Sequence, residues 1–190
     1  MNAEKLVVGL AGMPGSGKSL VVETAVEMGF GVIVMGDVIR EETQKRGLEL
    51  NPQNIGRVML ELRSQGGASV VADRCVPKIE HQDNGKVIVD GLRSLSEVEV
   101  FKRRFANFSL MAVYASPETR FNRIFRRKRS DDPDGWDVFH ERDMRELGVG
   151  LGDVIAMAEY LVINEYSKGK SNTKAAAKNF LQRIEAKWMK

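Results

Sequence analysis

The sequence predicts an open α/β domain, a parallel sheet covered by helices on both faces. Three observations carry this. Five short runs rich in Val, Ile and Leu are almost continuously apolar, as strands buried on both faces are. Helical patterns separate these runs, and strands alternating with helices build parallel sheets. Directly after the first run stands Gly12-Met13-Pro14-Gly15-Ser16-Gly17-Lys18-Ser19, which fits the phosphate-binding pattern G-x-x-x-x-G-K-[ST] between a strand and a helix.

The chain has 190 residues, 43% hydrophobic and 29% charged, which is the size and composition of one globular domain. A domain of this size buries roughly 70% of its unfolded surface, so its core needs neither disulfides nor structural metal. A lone Cys75 supplies no internal bridge, and His81 and His140 stand far apart without nearby cysteines, which excludes a histidine-rich metal site. Any metal is then a hard cation on oxygen ligands. The first apolar stretch, Leu6 to Ala11, is too short for a signal-peptide core or a membrane span. The expectation is a cytoplasmic protein with no membrane partner.

Leu6 to Ala11 is the first predicted strand. In the loop after it, Gly12, Gly15 and Gly17 let backbone N–H groups approach phosphate oxygens, and the helix that follows adds a partial positive charge. Lys18 is the residue to reach β- and γ-phosphates, and Ser19 offers a hydroxyl to Mg²⁺. Met13 and Pro14 shape the loop, while Leu20 opens the helical pattern that runs to Val26.

Gly31 to Met35 is the second strand, followed by Gly36-Asp37-Val38-Ile39-Arg40. Between the second and third strands lie 51 residues, too many for one covering helix. One helix is expected from Asp37 to Arg46, and another begins at Asn51-Pro52, a capping residue followed by proline in the first turn. The third strand, Val87 to Val89, ends in Asp90, the place from which phosphate-loop proteins hold Mg²⁺. Taken alone, Asp90-Gly91 also reads as a turn. Arg93 follows just past this strand, as Arg40 does past the second. Two arginines on one rim can grip a second phosphate by bidentate hydrogen bonds.

Ser94 and Glu97 form a capping-box signature before Leu95, Val98, Phe101 and Phe105 on one helix face. Ser109 to Tyr114 and Tyr160 to Ile163 complete the strands, separated by 45 residues. The closing helix repeats Ala176, Phe180, Ile184 and Trp188 every four residues. Both long insertions leave from strand carboxyl ends, where open α/β sheets bind ligands.

Charge is concentrated. Arg120 to Arg129 holds six basic residues and no acid, against a net charge of +3 for the whole chain. This stretch reads as a phosphate-closing lid, a contact for nucleic-acid backbone, or a solvated helix face. Nucleic acid is the less favoured partner, since no series of exposed aromatics interleaves with the arginines to stack bases. Phe121, Ile124 and Phe125 share a stripe expected to pack on the core, and Trp136 is expected to pack the lid. His81 and His140 read as surface or lid residues, and Cys75 as a packing residue.

At this point the chain resembles the nucleoside monophosphate kinases of the P-loop class, of which adenylate kinase is the best-known member. The resemblance rests on Gly12 to Ser19, on Gly36-Asp37-x-x-Arg40, and on Asp90-Gly91-x-Arg93, one residue shorter than the family's Asp-Gly-x-x-Arg. It continues through Arg123 and Arg127 at the spacing of lid arginines, Arg129-Ser130-Asp131-Asp132, Arg142 and Arg145. It is nearest to small archaeal proteins described as related to adenylate and dephospho-coenzyme A kinases. The family's usual proline before the last arginine is replaced by Leu92, and the lid is of the short kind.

The resemblance implies a P-loop NTPase fold of three α/β/α layers with strand order 2-3-1-4-5. It divides the single domain into a core (1–36, 86–119, 147–190), an acceptor-binding insert (37–85) and a lid (120–146). It implies ATP and Mg²⁺ as cofactors, with ATP phosphates on Gly12, Met13, Pro14, Gly15, Ser16, Gly17, Lys18, Ser19 and Leu20. The metal falls to Ser19 and Asp90, partly through water, and a small nucleotide acceptor to Asp37, Arg40 and Arg93. Lys18, Asp37, Arg123, Arg127 and Arg142 are the catalytic candidates. Dephospho-coenzyme A kinases also carry an Asp after the second strand, where it takes a proton from a ribose hydroxyl, and Ala158 to Asn164 resembles their last strand. The sequence leaves Asp37 open between base and structural or Mg²⁺-water ligand. It also leaves open ATP against GTP, the acceptor's identity, and a non-transferring nucleotide switch.

Overall fold

The structure is a computed structural model that describes residues 5–127, 133–165 and 169–189. The segment Arg129-Ser130-Asp131-Asp132 lies outside the described residues. Element order is β1 (Leu6–Ala11), α1 (Lys18–Glu27), β2 (Gly31–Val34), α2 (Met35–Lys45), α3 (Pro52–Gly66), α4 (Val70–Glu80), β3 (Lys86–Leu92), α5 (Leu95–Arg104), β4 (Asn107–Tyr114), α6 (Pro117–Arg127), α7 (Trp136–Gly148), α8 (Leu151–Ala156), β5 (Tyr160–Ile163) and α9 (Gly169–Trp188). The strands form one sheet of order β2-β3-β1-β4-β5, and every pairing is parallel. This is the predicted order and fold class.

Each face of the sheet has its own core. On one, Val7, Val87, Val89, Leu110 and Ala112 pack with Phe101 and Phe105 and with Val58, Leu62, Ala72, Cys75 and Ile79 from α3 and α4. On the other, Val8, Leu10, Ile88, Met111 and Val162 pack with Val21 and Ala25 of α1 and Ala177, Leu181 and Ile184 of α9. Burying each large aliphatic or aromatic side chain stabilises by about 1.5–3 kcal/mol. The capping box forms as predicted: the Ser94 hydroxyl accepts from the Glu97 amide, and the Glu97 carboxylate accepts from the Ser94 amide. The Asn51 side chain caps α3 by accepting from the Asn54 amide.

Four sequence expectations shift. The second strand ends at Val34, and Met35 opens α2, because its buried side chain satisfies a helix's first turn as well as a strand. The third strand continues through Asp90 to Leu92: Leu10 pairs with Asp90 and Ala11 with Leu92, so Gly91 is an extra residue in a bulge. Asp90 therefore sits inside the sheet, held from both sides. The face α9 buries is Thr173, Ala177, Leu181 and Ile184, with Ala176, Phe180 and Trp188 only partly covered beside it. Phe125 does not reach the core and is 50% exposed, although Ile124 is buried. Phe121 instead stacks with Phe125 and meets Trp136 and Phe139 edge-on, an aromatic cluster joining α6 to α7.

No helix among the described residues is long and apolar enough to cross a membrane.

Candidate active site

The loop between β1 and α1 is closed by a bond from the Ser16 amide to the Met13 carbonyl. Gly17, at φ 96°, starts α1, whose N-terminus has no side-chain cap and no acid in its first turn. A helix start without capping groups presents free N–H donors and a partial positive charge, the arrangement that receives an anion. Lys18 lies along the loop and donates from Nζ to the Gly12 carbonyl at 2.7 Å. Burial lowers its pKa, a shift that Asp90 opposes.

Asp90 carries the complementary perturbation. Burial raises its pKa, held back by Lys18 and Arg93. Its Oδ1 is buried with no hydrogen-bond partner. An orphaned carboxylate oxygen is costly unless a ligand completes it. One cavity of about 460 Å³ is lined by Gly15, Gly17, Lys18, Ser19, Asp90 and Arg127. The chemistry of this donor set, a hydroxyl and an unsatisfied carboxylate beside an anion-receiving loop, fits Mg²⁺. Among the described residues no three or more His, Cys, Asp or Glu side chains gather into a metal cage.

A second cleft of about 150 Å³ opens where β2 and β3 end. Its lining includes Gly12, Lys18, Asp90, Arg40, Arg93 and Glu146. The two arginines predicted at this rim are thus brought together beside the loop lysine. Each is engaged by a carboxylate: Arg40 by Asp37 at 2.7 Å, Arg93 by Glu146 at 2.9 Å. The Arg93 backbone is held as well, its amide donating to Glu97 at 2.7 Å, while Arg63 of α3 reaches the other Glu97 oxygen at 3.1 Å. Asp37 is exposed and does not line the cleft.

The third cavity, about 550 Å³, lies on the far side of the loop between α1, α6 and the start of α9. Ser19, Leu20, Glu23, Arg123, Arg126, Arg127, Asn164 and Lys170 are among the residues that line it. Arg123 donates to the Ser16 carbonyl at 3.2 Å and to the Asn164 carbonyl at 2.8 Å. The Asn164 amide donates to Ser16 O at 2.7 Å and accepts from Thr173 at 2.9 Å. Arg142 is half-buried on α7 and lines none of these three cavities.

In the sequence Arg120 belongs to the same basic stretch as the lid arginines. The structure buries it: Nη1 and Nη2 hold Asp143 bidentately at 2.8 and 2.5 Å, and Nη1 also donates to the Pro14 carbonyl. Asp143, Glu146 and Lys170 stand outside the residues that carry the resemblance, which on α7 are only Arg142 and Arg145. Asn164 had a visible signal, a polar residue just after the last strand. Cys75 is fully buried and its thiol is pushed up to about 12 by burial, so it is a packing residue. His81 and His140 are exposed.

A family model described as an AAA domain matches residues 11–140. A UPF0200 protein of Hyperthermus butylicus is 48% identical over 182 residues, 96% of each chain. Among solved structures, TT1252 from Thermus thermophilus superposes with a TM-score of 0.67 at 17% identity, covering 97% of this chain and 98% of that one. The shikimate kinase of Acinetobacter baumannii, in complex with shikimate, gives 0.64 at 18% identity over 99% and 97%. The fold is that of the P-loop kinases.

Proposed function

The chain belongs to the UPF0200 family, and from that premise we propose that it is an ATP-dependent phosphotransferase whose acceptor is a nucleoside monophosphate or a similar nucleotide. One observation carries the reading: a single cleft joins Lys18 and the unsatisfied Asp90 to Arg40 and Arg93. Phosphoryl transfer needs positioning and charge stabilisation more than covalent help, and this cleft supplies both.

In this reading residues 37–85 form the acceptor insert, 120–146 the lid and the remainder the core. ATP phosphates lie on Gly12 to Leu20, with the nucleoside in the cavity beside Arg123 and Asn164. Ser19 and Asp90 would hold Mg²⁺, directly or through water, and the bound ion would supply positive charge against the phosphates. Arg40 and Arg93 exchange their carboxylate partners for the acceptor's phosphate. An acceptor oxygen attacks the γ-phosphorus in line as the bond to the β,γ-bridging oxygen breaks, leaving ADP. Lys18 and Arg127 hold charge on the transferring group, and Arg142 joins only when the lid closes.

Asp37 divides this from transfer to a ribose hydroxyl. Its ion pair with Arg40 and its position outside the cleft favour an acceptor already ionised, which needs no base. The test is ADP release from ATP and Mg²⁺ against AMP, CMP, UMP, GMP, the deoxynucleotides and dephospho-coenzyme A. Turnover with one monophosphate supports the proposal. Turnover only with dephospho-coenzyme A makes Asp37 the base, and slow release indifferent to acceptor replaces the kinase with a nucleotide switch.

A further inference from the structure

Arg120 makes four hydrogen bonds from one buried guanidinium, and they reach three separate segments. Nε donates to the Ala115 carbonyl at the end of β4, Nη1 to Pro14 in the phosphate loop, both at 3.2 Å, and the two terminal nitrogens to Asp143 on α7. The guanidinium also lies 5.0 Å from the ring centroid of Phe139, again on α7. The Arg120 backbone is pressed to the same loop: a Cβ on Gly15 would come within 2.9 Å of its carbonyl oxygen. Three residues along α7 from Asp143, on the same helix face, Glu146 holds Arg93 in the acceptor cleft. One face of α7 therefore touches the phosphate loop through Arg120 and the acceptor rim through Glu146.

We propose that Arg120 and Asp143 are positioning residues that make α7 respond to nucleotide at the phosphate loop, and through Glu146 carry that response to Arg93. The inference rests on the reading that the loop takes a nucleotide. Phosphate oxygens that reorder the loop backbone move the Pro14 carbonyl. Arg120 is too fully engaged to follow that movement without shifting its carboxylate partner. Burial gives the pair this stiffness: neither partner can leave without stranding a charge away from water.

Trp136 on α7 reports the movement. The chain has two tryptophans, so Trp188→Phe leaves Trp136 as the sole indole, half-exposed against Phe121 and Phe139. This background is titrated with a non-hydrolysable ATP analogue and Mg²⁺, following Trp136 emission, with binding measured in parallel by equilibrium dialysis. The expected result is an emission change whose midpoint equals that of binding. The double variant Arg120→Met/Asp143→Leu removes both charges together and avoids a stranded ion. It should bind the analogue about tenfold more weakly, the loss of one loop contact, with no emission change at saturation. If it does not fold, Arg120→Lys carries the same test, because an ammonium cannot hold the carboxylate bidentately and reach Pro14 as well. An undiminished emission change in the variants overturns the proposal, as does binding to the Trp188→Phe background without any change. Dialysis that finds no binding in that background removes the nucleotide reading itself, and the proposal with it.

Discussion

Gly17→Ala tests whether the start of α1 is built as described. Gly17 has φ 96°, and a Cβ there would overlap the Asn164 amide nitrogen and stand 3.3 Å from its Cγ. Two costs arise. A side chain in left-handed backbone costs about 1–2 kcal/mol. Displacing the Asn164 amide breaks its bonds to Ser16 and Thr173 and its contact with Arg123 at 3.1 Å, together about 2–3 kcal/mol at usual net values. The sum is about 3–5 kcal/mol. For a domain of this size 1 kcal/mol is worth roughly 2–4 °C, so the melting midpoint should fall by about 6–20 °C. The assay is thermal unfolding of Gly17→Ala, Asn164→Ala and the double variant. With the amide already gone, Gly17→Ala should cost only the backbone strain, leaving a coupling of about 2 kcal/mol between the two sites. Strict additivity would refute the steric reasoning, and an unchanged midpoint would refute the backbone assignment as well.

Lys18→Ala should retain the fold, since it removes an ammonium that burial already disfavours, and should lower phosphoryl transfer by orders of magnitude in a coupled ADP assay; near-normal turnover would sink the mechanism. Asp90 binds its proton more tightly in the native state than at the ordinary value of 3.8. Native protein thus loses stability relative to the unfolded chain as pH rises above that value. Asp90→Asn should remove this loss, so its thermal stability relative to the parent should improve toward neutral pH while affinity for Mg²⁺ and nucleotide falls. A relative stability that improves toward acid instead contradicts the assignment. Arg40→Ala should raise the acceptor KM at least tenfold, the worth of one charged hydrogen bond, and leave nucleotide affinity within about twofold. Collapse of nucleotide binding in that variant would show that Arg40 serves the other side of the loop.

The strands, the helix starts at Ser94 and Asn51, and the phosphate loop are legible in the sequence because each depends on neighbours in the chain, whereas the strand order came from the family resemblance. An apolar run, a capping side chain and a glycine pattern each act over a few residues. The sequence also marked Arg40 and Arg93 as rim residues, since whatever follows a parallel strand emerges at one end of the sheet. Their partners are set in three dimensions. Asp143 and Glu146, fifty and fifty-three residues beyond Arg93, lie on a helix that returns across the site. Arg120 shows the same limit from the other side. In sequence it is one basic residue among six, yet α7 folding over α6 takes it out of water and pairs it with Asp143. Burial and pairing are properties of a place in space, and a run of like charges does not reveal which member the fold will enclose.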